Sequence, residues 1–140
     1  MNTETAEPHY TESWREYPFN NPGERHGYRL FPADLENHPN VFFHGTEERV
    51  AQLIFNEGFR IPNLPLAPSV SFSENSSLSL RYAAERRSDE SPNGIVIVVR
   101  FNSDDRSIIR SWAGGIHVDR FDPQPEVIGY CIVPAQYNYG

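Results

Sequence analysis

Apolar and polar residues alternate with different periods along this chain, and those periods predict its strands and helices. The runs "NVFFHGT" at 40–46 and "GIVIVVRF" at 94–101 predict two strands, and the β-branched second run is typical of a strand buried on both faces. The run "EVIGYCIVP" at 126–134 predicts the last strand. Shorter apolar segments at 28–32 and 70–73 predict two more.

Two segments have the residue spacing of helices. In the first, at 47–59, an apolar stripe is expected to contain Val50, Leu53, Ile54 and Glu57. Thr46 is expected to cap this helix and Gly58 to end it. The second helix is predicted over 74–87, capped by Asn75 or Ser76.

The remaining segments predict the domain organisation. Residues 1–27 are read as a polar N-terminal arm, held to the body by aromatic residues, and residues 28–140 as a single domain. The proline-rich segment 62–68 predicts a loop, and 104–125 is expected to be mostly loop with one short strand. Because the late strands follow one another without helical spacers, the pattern favours antiparallel pairing and an α+β fold.

Composition limits the classes of function. The chain has 140 residues, enough for one domain, and its formal charge of −7 argues against tight nucleic-acid binding. No apolar run approaches the ~20 residues that a membrane helix needs. The N-terminus lacks the pattern of a secretory signal, so we expect a cytoplasmic protein or one delivered into a host cell. The single Cys131 cannot form an internal disulfide.

Polar residues with possible chemical roles stand where the predicted elements begin or end. His44, Gly45 and Thr46 follow a strand, and Ser79 and Tyr82 share one face of the second helix because they are three residues apart. The others are Ser71, Ser73 and Glu126. Each alone is more often structural than functional, so the question is whether they belong to one site.

Taken together, these motifs resemble a known family. The segments "FFHGTEERVAQLIFNEGFRIP", "SVSFSENSSLSLRYA" and "PEVIGYCIV" are similar to the catalytic core of ADP-ribosyltransferases of the diphtheria-toxin and poly(ADP-ribose) polymerase type. The likeness covers roughly residues 40 to 133. It implies two small, mostly antiparallel sheets that form a cleft for NAD. The family's His-Tyr-Glu set corresponds to His44, Tyr82 and Glu126.

The resemblance also implies a role for each residue. The backbone of Gly45 and the hydroxyl of Ser79 would hold the nicotinamide amide, and Tyr82 would stack on its ring. His44 would bind a ribose hydroxyl, with Thr46 and Ser71 adding contacts. Glu126 would stabilise the positive charge that develops on the ribose as the nicotinamide bond breaks. No metal is required. The acceptor is expected to be a protein side chain, and the missing acceptor loop favours a single transfer.

Several alternatives stay open. Ser71 stands where polymerase-type members carry an aromatic residue. A second branch of the superfamily, with an Arg-Ser-Glu set, is loosely matched by Arg29, Ser71, Ser73, Gln124 and Glu126. The same fold could also serve as an inactive protein-binding or NAD-sensing module, an NAD glycohydrolase or an RNA 2′-phosphotransferase. Short motifs also match by chance.

One compositional feature bears on where the protein works. All 12 basic residues are Arg and none is Lys. Since ubiquitin is attached mainly to lysine amines, a lysine-free chain suits a bacterial toxin or effector that acts inside a eukaryotic cell. The alternative is a genome that favours Arg codons.

Overall fold

The computed structural model describes most of the chain. The described residues are 14–61, 70–102, 108–110, 115–119, 121 and 124–139.

The described part of the chain contains seven strands and three α-helices, which makes the fold mixed α+β. The strands are β1 (Arg15–Glu16), β2 (Val41–Glu47), β3 (Val70–Ser73), β4 (Gly94–Arg100), β5 (Ile108–Arg110), β6 (Gly115–Val118) and β7 (Glu126–Val133). The helices are α1 (Ala33–Glu36), α2 (Glu48–Glu57) and α3 (Ser76–Glu85), and a short 3₁₀ turn covers Glu24–His26.

The strands form one hydrogen-bonded sheet in the order β1-β7-β4-β2-β3-β6-β5. All neighbours are antiparallel except β1 and β7, which are parallel. The expectation of two separate sheets is therefore wrong for the described strands. The pairing is uneven, because β2 pairs with β3 through Phe43 and Ser73 alone, whereas every residue of β2 pairs with β4. Beyond Phe43, β2 and β3 separate; we call this point the fork.

Each face of the sheet has its own apolar core. On one face α3 packs through Leu80 and Ala83 against residues such as Val41 and Phe43. On the other face α2 packs through Ala51 and Phe55, together with the side chains of Phe42, Ile97, Phe59, Phe72 and Ile116. The central strand β4 is buried on both faces over residues 94–99, as its unbroken apolar run predicts.

The predicted strand at 28–32 is wrong. This segment is irregular, because side chains satisfy its backbone where a ladder was expected. The N–H of Leu30 donates to Ser76 Oγ at 2.8 Å, and the N–H of Phe31 donates to the buried Glu36 carboxylate at 3.1 Å. The same carboxylate accepts from the N–H of Ser76 at 3.1 Å, so it anchors the first turn of α3.

The ends of the two long helices follow the sequence signals in part. Gly58, at a φ of +85°, ends α2 as predicted. Thr46 does not cap it, since this residue still belongs to β2 and Glu47 is the capping position. Helix α3 begins as predicted after Asn75, whose side chain accepts a hydrogen bond from the N–H of Ser77 at 3.1 Å.

The segment 104–125, expected to be mostly loop, contains two strands, β5 and β6. The proline-rich segment 62–68 lies outside the described residues. The aromatic residues of the N-terminal arm do pack onto the body: Trp14 lies 4.6 Å from Phe55 between ring centroids, and Tyr17 is buried.

Candidate functional site

A cavity of about 730 Å³ opens at the fork. The end of β2 that no longer pairs with β3 contributes His44, Gly45 and Thr46 to its wall, β3 contributes Ser71, and α3 contributes Tyr82. Helix α2 adds an apolar wall made of Val50, Leu53 and Ile54. The stripe predicted for this helix therefore faces the cavity, while Ala51 and Phe55 face the core.

Five of the seven predicted site residues line this one cavity: His44, Gly45, Thr46, Ser71 and Tyr82. They come from three segments that are far apart in the sequence. The fork explains why they meet, since the end of β2, the start of β3 and the exposed face of α3 all border the gap between the two strands.

Ser79 is not part of the cavity wall. It is 1% exposed, and its Oγ lies 2.6 Å from Ser73 Oγ. The single hydroxyl proton of Ser73 is donated to the carbonyl oxygen of Asn75 at 2.6 Å, so Ser79 must be the donor between the two serines. Its hydroxyl therefore ties α3 to β3.

Gly45 is required by the packing of α3. A Cβ at this position would lie 1.9 Å from the carbonyl oxygen of Ser79 and 2.8 Å from its carbonyl carbon. The resemblance explains this glycine by close approach of a ligand. The structure adds a different reason, because a bare backbone at position 45 lets the helix lie directly on β2.

The imidazole of His44 bridges the fork. Its Nδ1 lies 2.8 Å from the carbonyl oxygen of Ser71, so Nδ1 carries the proton and donates it. The rings of Phe59 and Phe72 pack at 5.6 and 5.3 Å from the imidazole. Burial lowers the pKa of His44 below 6.5, which outweighs the opposite effect of the Ser71 hydrogen bond; the positive charge of Arg86 lowers the pKa further. His44 is thus neutral near pH 7, with Nε2 as a hydrogen-bond acceptor.

His117, which was not predicted, extends this arrangement. Its Nδ1 lies 3.1 Å from Ser71 Oγ, so one residue, Ser71, hydrogen-bonds to both imidazoles. On β6, Ile116 and Val118 are buried and His117 is exposed between them. This alternation of apolar and polar residues was visible in "GIHV" and could have indicated both the strand and the outward histidine.

Glu126 lies away from the cavity. It pairs in the sheet with Arg100, whose guanidinium is 2.6 Å from its carboxylate, and Arg100 pairs in turn with Val41. Glu126 is therefore two strands and three residues from His44, roughly 14 Å in the plane of the sheet. Val41 belongs to the core on the α3 face, whereas the His44 ring packs against residues of the α2 face. The expectation that Glu126 faces His44 and Tyr82 is not met.

The neighbouring Gln124 does reach the rim of the cavity. Its amide accepts from the N–H of Phe59 at 2.9 Å and donates to the carbonyl oxygen of Phe59 at 2.8 Å. Phe59 lines the cavity, so Gln124 supports the wall from outside. Of the residues in the alternative Arg-Ser-Glu set, Ser71 lines the cavity; Arg29, Gln124 and Glu126 do not, and Ser73 is buried with Ser79.

The charged residues that line the cavity have a net positive charge, although the whole chain has a net charge of −7. Its wall contains Arg60, Arg86 and Glu57. Arg60 pairs with Glu57 at 2.9 Å. Arg86 therefore adds a charge that this pair does not balance.

Two further findings concern the described part of the chain. No group of three or more His, Cys, Asp or Glu side chains there could hold a metal ion. None of the helices there is long and apolar enough to cross a membrane.

No protein-family model matches this sequence, and no curated protein is significantly similar to it.

Proposed function

We propose that the protein binds NAD in the cavity at the fork and acts as a mono-ADP-ribosyltransferase, cleaving the nicotinamide–ribose bond and transferring ADP-ribose to a protein side chain. The observation that supports this proposal is the convergence of five predicted site residues, from three separate segments, on one cavity. Chance matches to short motifs would have no reason to converge. The cavity, at about 730 Å³, also lies within the ~300–1,000 Å³ typical of small-molecule sites.

The chemistry of the wall suits a dinucleotide. Tyr82 is 39% exposed and offers a flat aromatic face to a ring. His44, with its proton on Nδ1, presents Nε2 as an acceptor for a ribose hydroxyl. The apolar side chains of α2 also line the cavity and can exclude water from a bound base. These are features of the pocket alone, and they support binding more directly than they support catalysis.

A second candidate is a module that binds NAD without turning it over. It is favoured by one observation, the position of Glu126 in an exposed ion pair with Arg100 outside the cavity. In the described part of the chain, the carboxylate that lines the cavity is Glu57, which is paired with Arg60.

Two measurements separate the candidates. Calorimetry with NAD tests binding, and release of labelled nicotinamide, with and without a lysate that supplies acceptors, tests turnover. A transferase releases nicotinamide and labels an acceptor that mass spectrometry identifies. A binding module shows a heat of binding and no release. Absence of NAD binding would refute both.

A further inference from the structure

Arg86 occupies a distinctive place at the cavity. It follows the last turn of α3, one turn after Tyr82, and its N–H donates to the carbonyl oxygen of Tyr82 at 2.9 Å. Both residues line the cavity. Its backbone is therefore fixed by the helix end, and its side chain is exposed.

The charge of Arg86 is not used elsewhere in the described part of the chain. Four other arginines there form salt bridges with carboxylates, namely Arg49, Arg60, Arg81 and Arg100, and Arg86 forms none. An arginine that lines a concave, partly apolar site without a carboxylate partner attracts an anion, because the low-dielectric walls strengthen its field.

The positive charge of Arg86 also acts on His44, which lines the same cavity. The positive charge of Arg86 contributes to the lowered pKa of His44, which sits at the fork. Arg86 and His44 therefore border the same cavity, one as a cation and the other as a neutral acceptor. A ligand with an anionic group beside a hydroxylated sugar would satisfy both.

We infer that Arg86 is the phosphate-binding residue of this cavity and that it holds the diphosphate of a dinucleotide. This inference rests on the proposed function for the identity of the ligand. The planar guanidinium can donate two parallel hydrogen bonds to phosphate oxygens, a geometry that a lysine ammonium cannot reproduce.

The test compares ligands with and without phosphate groups. Binding of ADP and of adenosine is measured by calorimetry for the parent chain, Arg86→Ala and Arg86→Lys. Arg81→Ala is the matched control, because Arg81 lies on the same helix, pairs with Glu85 at 3.2 Å and does not line the cavity. Thermal unfolding of each variant checks that the fold is intact.

The expected result is a loss of ADP affinity of about 10-fold or more in Arg86→Ala, since charge-assisted hydrogen bonds are the stronger ones. Arg86→Lys should lie between this variant and the parent. Adenosine should bind all four proteins equally, and Arg81→Ala should bind ADP like the parent. Added salt should weaken ADP binding to the parent more than to Arg86→Ala.

Three outcomes would overturn the inference: no ADP binding by the parent, unchanged ADP affinity in Arg86→Ala, or an equal loss of ADP and adenosine affinity. An equal loss of ADP and adenosine affinity would mean that Arg86 positions Tyr82 and does not bind phosphate. Failure of the proposed function looks different. In that case ADP binding depends on Arg86, but the parent neither binds NAD nor releases nicotinamide from it.

Discussion

The Nδ1 of His44 and the carbonyl oxygen of Ser71 are 2.8 Å apart, at the place where β2 and β3 stop pairing. The side chain of His44 thus links β2 to β3 where the two backbones no longer pair. The bond also fixes the tautomer of His44, which leaves Nε2 as a hydrogen-bond acceptor. One hydrogen bond therefore serves both the fold and the site.

Removing the side chain of His44 or of Tyr82, which we propose to contact NAD, should weaken NAD binding. We expect His44→Ala to lower NAD affinity about 10-fold, the value of one good hydrogen bond, and Tyr82→Ala to lower it similarly by removing a stacking face. Tyr82→Phe keeps the ring and should bind like the parent. Calorimetry measures all three. Equal losses in Tyr82→Phe and Tyr82→Ala would contradict a stacking role.

Acid should destabilise the protein partly through His44. Because the pKa of His44 is lowered in the folded state, the unfolded chain binds the proton first as the pH falls below 6.5. Stability is then lost, by at most about 1.4 kcal/mol per pH unit for one proton. His44→Gln should lose less stability than the parent between pH 7.5 and 5.5 in urea unfolding. Parallel pH curves for the two proteins would count against the lowered pKa.

Gly45 should tolerate no side chain. Gly45→Ala places a Cβ 1.9 Å from Ser79 O, which must push α3 away from β2 and should cost about 1–3 kcal/mol or more in the free energy of unfolding. Gly23→Ala is the matched control. This glycine has nothing within 4 Å of a Cβ and a φ of −128°, so its change should stay within about 0.5 kcal/mol. Similar unfolding midpoints for both variants would refute the packing argument.

The family resemblance and the position of Glu126 predict different effects of removing its carboxylate. We expect Glu126→Ala to leave NAD affinity unchanged, because the carboxylate lies outside the cavity, and to change stability by less than about 1 kcal/mol, because its pair with Arg100 is exposed. The resemblance predicts that turnover is lost; the position predicts that it is kept. Arg100→Ala, which breaks the same pair and keeps the carboxylate, is the control for the lost salt bridge. A large loss of NAD affinity in Glu126→Ala alone would show that the carboxylate does reach the ligand.

The lysine-free composition predicts a long lifetime in eukaryotic cytosol. Arg49 and Arg81 suit the test, because their side chains are 63% and 58% exposed and neither lines the cavity. Changing both to Lys should shorten the half-life, and a proteasome inhibitor should restore it. If the lysine variant persists as long as the parent without the inhibitor, the composition has another cause.

The sequence predicts the elements that depend on local pattern. The unbroken apolar run of β4 and the caps at Asn75 and Gly58 are local signals, and each appears in the structure as expected. The sequence predicts one short strand in 104–125 where the structure has two, because β5 and β6 have only three and four residues and give too short a pattern to place.

The arrangement of the site was predictable only in part. His44 and Tyr82 are recognisable because their motifs are local. That Ser79 faces inward and Glu126 lies on the other face depends on how α3 docks on Gly45 and on the register of β7 with β4. A shift of one residue in the register of β7 with β4 would move Glu126 to the opposite face of the sheet. The pattern of residues within β7 does not specify this register.

The fork has a consequence for the stability of the whole chain. Since one ladder pair, Phe43 with Ser73, joins the two parts of the sheet, a molecule that contacts both His44 and Ser71 would act as an additional rung between them. By linkage, such a ligand at 100 times its Kd would add about 2.7 kcal/mol to the free energy of unfolding. Among candidate nucleotides at equal concentration, the one that raises the unfolding temperature most is therefore the one that binds most tightly.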